Sequence, residues 1–420
     1  MRIQLSEHFS YSKLLRFTMP SIIMMIFTSI YSVVDGVFVS NFAGKTAFAA
    51  VNLIMPLLIV TGAPGFMIGT GGSAIVAKTM GEDKPELANR YFSFLVCAAA
   101  VCGALVGALG AVFARPIAAA LGAEGEMLEN CVLYARIILA ANPCFILQNV
   151  FQSFFVAAEK PKLGLYITVG AGLTNAALDA LLVGGLRWGV AGAALATIIS
   201  QAVGGLLPVV YFIRKNDSML RLVRPRFDGG VLWKTCSNGS SELMSNISGS
   251  LVSMLYNFQL LRLAGEDGLA AYGAVMYVNF IFLAIFIGYA IGSAPVVSFH
   301  YGAGNRAELK SLLRKSTVLT AMTGAVMAGL AVLGFRLYAI SYLLCGFNIF
   351  GSAFFTALNN GLASALISFM RTLVFQCASV LILPIFWKMD GIWLAISVAE
   401  SAALAVTAVL LGRNRRTYGY

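Results

Sequence analysis

Four acidic side chains stand inside long apolar stretches of the sequence, where carboxylates are least expected. They are Asp35, Asp179, Glu242 and Glu400. Asp35 lies in SIIMMIFTSIYSVVDGVFVS, far from either end of the apolar stretch 17–42. A charge in the hydrocarbon core of a membrane costs on the order of several kcal/mol, so such residues usually face a bundle interior or a watery cavity. The sequence therefore points to a membrane protein with acidic groups on a transport path.

Asn175 and Asp179 are spaced for a shared site, because residues four apart lie on one face of a helix. Thr197, in the next apolar stretch, adds a hydroxyl. Together with Asp35 these residues offer only oxygen ligands, which suit a hard cation such as Na⁺. Two neighbouring carboxylates can also hold a proton between them. The alternative for Asn175 and Thr197 is plain hydrogen bonding between helices, which such residues supply routinely in membranes.

Further polar residues inside the apolar stretches are candidates for a substrate cavity. They are Gln148, Asn149, Gln152, Glu242, Asn257, Gln376 and Glu400. Glu242 stands close to one end of its stretch, so simple solvation is an equal alternative for it. Pro20, about four turns before Asp35, predicts a kink in the first span, a feature that transporters tolerate where neighbouring helices re-satisfy the backbone.

Composition places the chain among polytopic membrane proteins. Hydrophobic residues make up 59% of the 420 residues and charged residues 11%, against about 25% charged in soluble domains. The net charge of +11 comes from basic residues at the ends of apolar stretches, which is the pattern of cytoplasmic loops rather than of nucleic-acid binding. The seven cysteines and two histidines show no metal-ligand spacing, so we expect neither disulfides nor a zinc site.

The apolar stretches predict an all-α membrane protein with twelve transmembrane helices in two six-helix lobes. The predicted spans are 17–42, 47–77, 91–114, 130–157, 163–186, 189–213, 232–262, 268–300, one run 317–358 that folds back once, 362–387 and 391–412. The lobes are 1–213 and 231–420, joined by the basic linker 214–230. With both termini in the cytoplasm, most basic residues fall on the inside.

The two lobes read as copies of each other. AGKTAFAAV (43–51) matches AGEDGLAAY (264–272), an offset of 221, whereas YARIILAANPCFILQNVFQSFFVAA (134–158) matches GFRLYAISYLLCGFNIFGSAFFTAL (334–358), an offset of 200. An even number of spans in each copy makes this a parallel repeat about an axis along the membrane normal. With one inserted residue, about 22 residues are missing from the second copy near 333–334. Either a very tight turn joins spans nine and ten there, with one or both of them shortened, or the copy has an internal deletion.

The chain resembles the MATE (multidrug and toxic compound extrusion) transporters, specifically their bacterial multidrug-export branch. The resemblance rests on Pro20 and Asp35 in span one, the Asn175–Asp179 pair in span five, and the segments MGEDKPELANRYFSF, FFTALNNG and SSELMSNISGSLVSMLYN. It implies a V-shaped pair of lobes that exchanges organic cations for H⁺ or Na⁺. It also implies a cation-coupling site at Asp35, Asn175, Asp179 and Thr197.

We therefore expect a multidrug antiporter of a bacterial inner membrane, monomeric, in contact with membrane lipids and small, mainly cationic organic substrates. We expect no cofactor beyond the coupling ion, no other metal site and no nucleic-acid partner. The alternative within transport is export of a lipid-linked precursor, which would need a basic cavity; Arg136, Arg262, Arg336 and Arg371 are the arginines in or near spans. We do not expect an enzyme, since neither an HExxH nor a GxSxG motif occurs.

Overall fold

The computed structural model describes residues 3–332 and 336–420, and this part of the chain is helical with no strand. The α-helices are α1 (Tyr11–Phe38), α2 (Lys45–Gly81), α3 (Pro85–Ala120), α4 (Gly125–Ala140), α5 (Asn142–Ala157), α6 (Pro161–Leu178), α7 (Gly189–Ile213), α8 (Gly229–Gly302), α9 (Arg306–Val332), α10 (Arg336–Ala357), α11 (Gly361–Ser368) and α12 (Cys377–Tyr418). Three π-helical segments extend them: π1 (Val39–Ala43), π2 (Asp179–Gly185) and π3 (Phe369–Gln376).

Local sequence sets several helix boundaries. Ser10 caps α1 by accepting a hydrogen bond from the Lys13 backbone N–H, and Asp228 caps α8 through the N–H groups of Gly230 and Val231. A side-chain oxygen at this position satisfies N–H groups that have no partner within the helix. Prolines begin α3 and α6, where the missing N–H costs nothing.

The helices account for the predicted spans. In the described part of the chain, nine helical stretches are long and apolar enough to cross a membrane, and the bent pair α4–α5 makes a tenth. The stretch Gly361–Tyr418 is long enough for two spans, and α8 extends well before its counted stretch Val278–Gly302. Lys388 has non-helical dihedrals inside α12. In α8 the rings of Tyr256 and Tyr272 stack with centroids 5.0 Å apart, although sixteen residues of straight helix would separate them by roughly 24 Å. The chain therefore doubles back between these two tyrosines.

The internal repeat is visible in the backbone. Asp83 and Gly304, which are 221 residues apart, both adopt positive φ, at 60° and 68°. Glu159 and Asn359, 200 residues apart, do the same at 60° and 57°. Non-glycine residues rarely adopt this conformation, so its recurrence at matched positions marks equivalent turns. Equivalent turns thus recur in the fold at both of the offsets that the sequence predicts, 221 and 200 residues.

The halves meet at a contact that obeys the same repeat. A Cβ atom on Gly81, in α2, would overlap the Phe299 carbonyl in α8, and a Cβ on Gly302 would overlap the Lys78 carbonyl. Gly81 and Gly302 are repeat equivalents, and so are Lys78 and Phe299, at the offset of 221. A reciprocal contact of this kind is the signature of a twofold relationship. The two-lobe fold is thus confirmed, with α2 crossing α8 at backbone contact.

The shortened part of the second lobe lies at the α9–α10 pair. Within the described residues, α9 comprises 27 residues against 36 in α3, its equivalent, and α10 comprises 22 residues against the 16 and 16 of α4 and α5. Helices α9 and α10 pack against each other. The described parts of both partners are therefore shorter than their counterparts. The predicted break at 333–334 lies outside the described residues.

The N-terminal segment before α1 is held by carboxylates from both halves of the chain. Glu159, just after α5, accepts a hydrogen bond from the Leu5 backbone N–H at 2.8 Å. Glu308, in α9, accepts one from the Phe9 N–H at 3.0 Å and pairs with the His8 ring at 2.6 Å. The Leu5 and Phe9 side chains are completely buried. This segment therefore bridges the two lobes.

Candidate functional site

Asp35 and Asp179 come together where α1 packs against the π2 segment. Asp35 lies in the last third of α1, four residues before π1 begins, and Asp179 is the first residue of π2. Their carboxyl groups interact with each other directly. Asp179 is completely buried and Asp35 is half-buried. Short π-helical segments are frequent at functional sites, and here one follows each aspartate.

The hydrogen bonding of this pair is incomplete. Asp35 Oδ1 and both carboxylate oxygens of Asp179 are buried, and no hydrogen-bond donor reaches them from the described residues. Buried polar atoms almost always have a partner, and an ionised carboxylate can only accept. What the pair lacks is a positive or donating group. A proton on one carboxyl, or a cation between the two, would supply it.

The other two residues of the predicted set lie on the neighbouring helices. Asn175 is buried one turn before Asp179 in α6. Thr197 is half-buried in α7, and its hydroxyl donates to the Ala193 carbonyl at 3.0 Å, which leaves the oxygen lone pairs available as acceptors. Helix α7 is tied to α6 by Ser200, whose hydroxyl donates to the Ala171 carbonyl at 2.8 Å. All four oxygen-bearing side chains thus belong to adjoining elements, and their chemistry fits a hard cation.

Two tyrosines that the sequence did not predict also lie at this site. Tyr31 lies one turn before Asp35 and interacts with it. Its spacing of four residues was a usable signal, because such neighbours share a helix face. Tyr134, in α4, is buried, and its hydroxyl lies against that of Thr197, close enough for Asp35 to act on it. No local spacing could reveal Tyr134, since only the packing of α4 on α7 brings it there.

The polar residues predicted on span four are buried among helices of the first lobe. Gln148, Asn149 and Gln152, all in α5, have 7%, 4% and 6% of their surface exposed. Gln148 packs against Gly204 in α7, and Asn149 against Gly65 in α2. The Asn149 Nδ2 group is buried and has no acceptor among the described residues. Their role toward a substrate stays a prediction. Pro20 lies buried inside α1, and its predicted kink likewise stays a prediction.

The second lobe carries a different set of charged residues. Tyr256, the equivalent of Asp35, is buried and interacts with Gln376. Glu400 is buried in α12 and paired with Arg371 of π3, with Nη2 to Oε1 at 2.7 Å. Glu242 is half-buried in α8, whereas Asn257 in the same helix is exposed. Among the described residues, the two carboxyl groups of the first lobe thus have no basic partner, whereas the Glu400 carboxylate of the second lobe is paired with Arg371.

Comparison with known proteins identifies the family and the fold of the chain. The MatE family model matches residues 20–181 and 243–342, more than half of the chain. The multidrug export protein MepA of Staphylococcus haemolyticus is 25% identical over 434 residues, covering 97% of this chain and 95% of the relative. MepA of Staphylococcus saprophyticus is 23% identical, covering 95% and 91%. The crystal structure of a mutant MATE superposes with a TM-score of 0.93 at 21% identity, covering 99% of this chain and 98% of that one.

These matches span both lobes and confirm the resemblance drawn from Pro20, Asp35 and the Asn175–Asp179 pair. The fold match extends over nearly the whole chain, including the shortened α9–α10 pair. The chain belongs to the MatE family of multidrug and toxic compound extrusion proteins.

Proposed function

We propose that this protein exports small organic cations from the cell in exchange for H⁺ or Na⁺, which binds at Asp35 and Asp179. The observation that supports coupling is the set of three buried carboxylate oxygens without a donor among the described residues. Membranes penalise such groups unless a proton or a cation completes them. The choice of cargo draws on the staphylococcal relatives, which are named multidrug export proteins.

In this mechanism Asp35 and Asp179 bind the coupling ion, and Asn175 and Thr197 add neutral oxygen ligands if that ion is Na⁺. The ion neutralises the negative charge through which the two carboxylates repel each other, so α1 and π2 draw together. Because Asp35 is fixed to α1, this movement acts along the helix toward Pro20, where the backbone hydrogen bond of an ordinary residue is missing. The resulting change in α1 lowers the affinity of the first lobe for cargo.

The return step is a rocking of the two lobes. Repeat transporters of this kind alternate access by largely rigid movement of one half against the other. The reciprocal Gly81–Gly302 crossing of α2 on α8 provides close backbone contact between lobes, which can part and re-form without side chains to repack. The N-terminal segment, bound to Glu159 and Glu308, moves with this contact.

Export of a lipid-linked precursor has less support. A pyrophosphate would need an unpaired basic cavity, but the Arg371 guanidinium is already bound to Glu400 through two nitrogens. Arg136, Arg262 and Arg336 are exposed. A cargo cavity without an unpaired buried arginine is neutral or acidic, and such a cavity favours a cationic cargo instead.

The test is ethidium efflux by cells that express the Asp35→Asn and Asp179→Asn variants. Asparagine keeps the shape of aspartate but cannot hold a coupling ion by charge, so each variant should be expressed and folded yet lose efflux. Asp83→Asn is a matched control, because Asp83 is exposed in the α2–α3 turn at a φ of 60°, which asparagine tolerates. Efflux at the wild-type rate by either site variant would count against the proposal.

A further inference from the structure

A groove lies between the early turns of α1 and α6, and we call it the α1–α6 groove. Its volume is about 330 Å³. Its apolar walls are formed by side chains from both helices, among them Met19, Ile23, Leu165 and Tyr166. Met19 is 43% exposed, Ile23 is 44% exposed and Tyr166 is 67% exposed, so the groove is open along one side. An elongated apolar group can therefore enter it from outside the helix bundle.

Arg16 of α1 and Lys162 of α6 are the charged residues of this groove, and they lie at the same depth. The two helices touch further along, where a Cβ atom on Gly172 would lie 2.5 Å from the Phe27 ring. The acidic pair follows that contact by eight and seven residues, so the helices run in the same direction. Arg16 precedes the contact by eleven residues and Lys162 by ten, which places both roughly 15–17 Å before it.

The positive charges of this pair are not compensated. Both side chains are exposed, and neither has a carboxylate partner in the described ranges 3–332 and 336–420. The side chains that line the groove include no acid among the described residues. Arg16 and Lys162 thus present two free cations at one end of an apolar groove.

The groove is placed at the expected boundary of the membrane. Its helices belong to stretches that are long and apolar enough to cross a membrane, Tyr11–Ala43 and Pro161–Gly185. Arg16 and Lys162 lie within the first two turns of these helices, at the end that the charge pattern predicts to be cytoplasmic. Tyr166 follows one turn after Lys162, a position typical of tyrosines between headgroups and hydrocarbon.

This combination fits a lipid with an anionic headgroup. Basic pockets between helices on the cytoplasmic side attract anionic headgroups, and the acyl chain of the same molecule can cover the apolar walls. A small soluble anion would pair with the cations but leave the walls uncovered. A zwitterionic lipid would bring its own ammonium group toward Arg16 and Lys162, which repel it.

We propose that the α1–α6 groove binds an acidic glycerophospholipid of the cytoplasmic leaflet. Arg16 and Lys162 bind its phosphate. An acyl chain lies along the apolar walls, past Met19 and Ile23. The groove is distinct from the acidic pair, because Arg16 precedes Asp35 by nineteen residues, or roughly 28 Å of helix. The inference goes beyond the proposed function and depends neither on the cargo nor on the coupling ion.

Native mass spectrometry of the purified protein tests this site, since it counts the lipid molecules that stay bound. The probes are phosphatidylglycerol and phosphatidylcholine with identical acyl chains, each titrated into delipidated protein in detergent. The wild type should retain one phosphatidylglycerol at concentrations at which it retains no phosphatidylcholine. An excess of glycerol 3-phosphate, which has the phosphate but no acyl chain, should not displace the lipid.

The double variant Arg16→Gln/Lys162→Gln tests the headgroup contact. It should weaken retention of phosphatidylglycerol roughly tenfold or more, because each basic side chain contributes to holding the anionic headgroup. The matched control is Lys310→Gln/Arg314→Gln, which removes the same two charges from exposed positions one turn apart in α9. This control should retain the lipid like the wild type.

The variant Ile23→Asn tests the apolar wall while both cations stay in place. It should also weaken retention of phosphatidylglycerol. Ile30→Asn is its matched control, because Ile30 is 44% exposed in the same helix, as Ile23 is, but lies outside the groove. Thermal unfolding of each variant shows whether it is folded.

Several outcomes would overturn the site. Equal retention of the two lipids by the wild type would remove the anionic headgroup from the proposal. Equal losses in the two double variants would show a general attraction of the basic side instead of a groove. Displacement by glycerol 3-phosphate would reveal a site for small anions. If Arg16→Gln/Lys162→Gln does not fold, the isoleucine pair decides: a loss in Ile23→Asn alone supports the site, and equal retention in both variants overturns it.

Discussion

Replacing Gly302 by alanine should force the two lobes apart where α2 crosses α8. A Cβ atom at this position would lie 2.8 Å from the carbonyl carbon of Lys78 and 3.0 Å from its Cα. Carbon atoms in van der Waals contact are about 3.5–4.0 Å apart, so the helices must separate by roughly 1 Å. Backbone cannot rotate away as a side chain can. Overpacking of this size costs about 1–3 kcal/mol, which changes the population of the closed contact by roughly 5- to 150-fold.

Two labels on a variant lacking the native cysteines report the separation. Spin labels at Glu86→Cys and Ala307→Cys occupy exposed positions in the first turns of α3 and α9, on either side of the crossing. Their distance distribution should lengthen in Gly302→Ala, and the temperature of unfolding should fall. Gly249→Ala is the matched control, because nothing lies within 4 Å of its Cβ position in the same helix. There the higher helix propensity of alanine should leave stability equal or raised by up to about 1 kcal/mol.

The reciprocal geometry makes a further demand on the same experiment. Gly81→Ala strains the same crossing from the other side, against Phe299. Once one alanine has opened the contact, the second meets less resistance. The double variant Gly81→Ala/Gly302→Ala should therefore be destabilised by less than the sum of the two single variants. An unchanged distance distribution and unfolding temperature in Gly302→Ala would refute the reasoning.

Two other predictions concern single buried contacts. Asn348→Leu removes the donor to Glu400 and the acceptor of the Thr407 hydroxyl, so it should lower the free energy of unfolding by about 1–3 kcal/mol, followed by thermal unfolding. Asn52→Leu is the control and should have little effect, because Asn52 is exposed and bonded only to the Phe48 carbonyl. Equal losses of stability in the two variants would contradict this hydrogen-bond network. Glu308→Gln weakens the acceptor of the Phe9 N–H, so amide exchange should rise in the segment before α1, with the exposed Glu86→Gln as control; unchanged protection at Phe9 would show that the carboxylate does not hold it.

The sequence predicted the architecture because membranes leave few choices for the backbone. A chain crossing hydrocarbon must satisfy its own hydrogen bonds, so long apolar stretches become helices and their number follows from length. Copies with offsets of 221 and 200 required equivalent turns, which the positive φ values at Asp83 and Gly304 and at Glu159 and Asn359 confirm. Helix lengths at α9 and α10 were not predictable, since the shortfall could be taken from either partner or from the turn.

The site was predictable only where its signal was local. Asn175 and Asp179 share a helix face, and a carboxylate far inside an apolar stretch stands out by its desolvation cost. Pairing across the bundle leaves no such trace. The sequence offered Glu400 as a cavity residue and Arg371 as a candidate for a basic cavity that would hold a lipid-linked precursor, and it could not show that each neutralises the other. Tyr134 was missed for the same reason, as its partner lies 63 positions further along the chain, at Thr197.

The most direct test of the account measures ethidium transport by purified protein in liposomes under one imposed gradient at a time. If Asp35 and Asp179 bind the coupling ion, a pH gradient alone or a Na⁺ gradient alone should drive transport, and the same gradient should drive none in Asp35→Asn or Asp179→Asn. Asp83→Asn should transport like the wild type. Transport by the wild type that ignores both gradients, or gradient-driven transport that survives in both variants, would contradict the central claim.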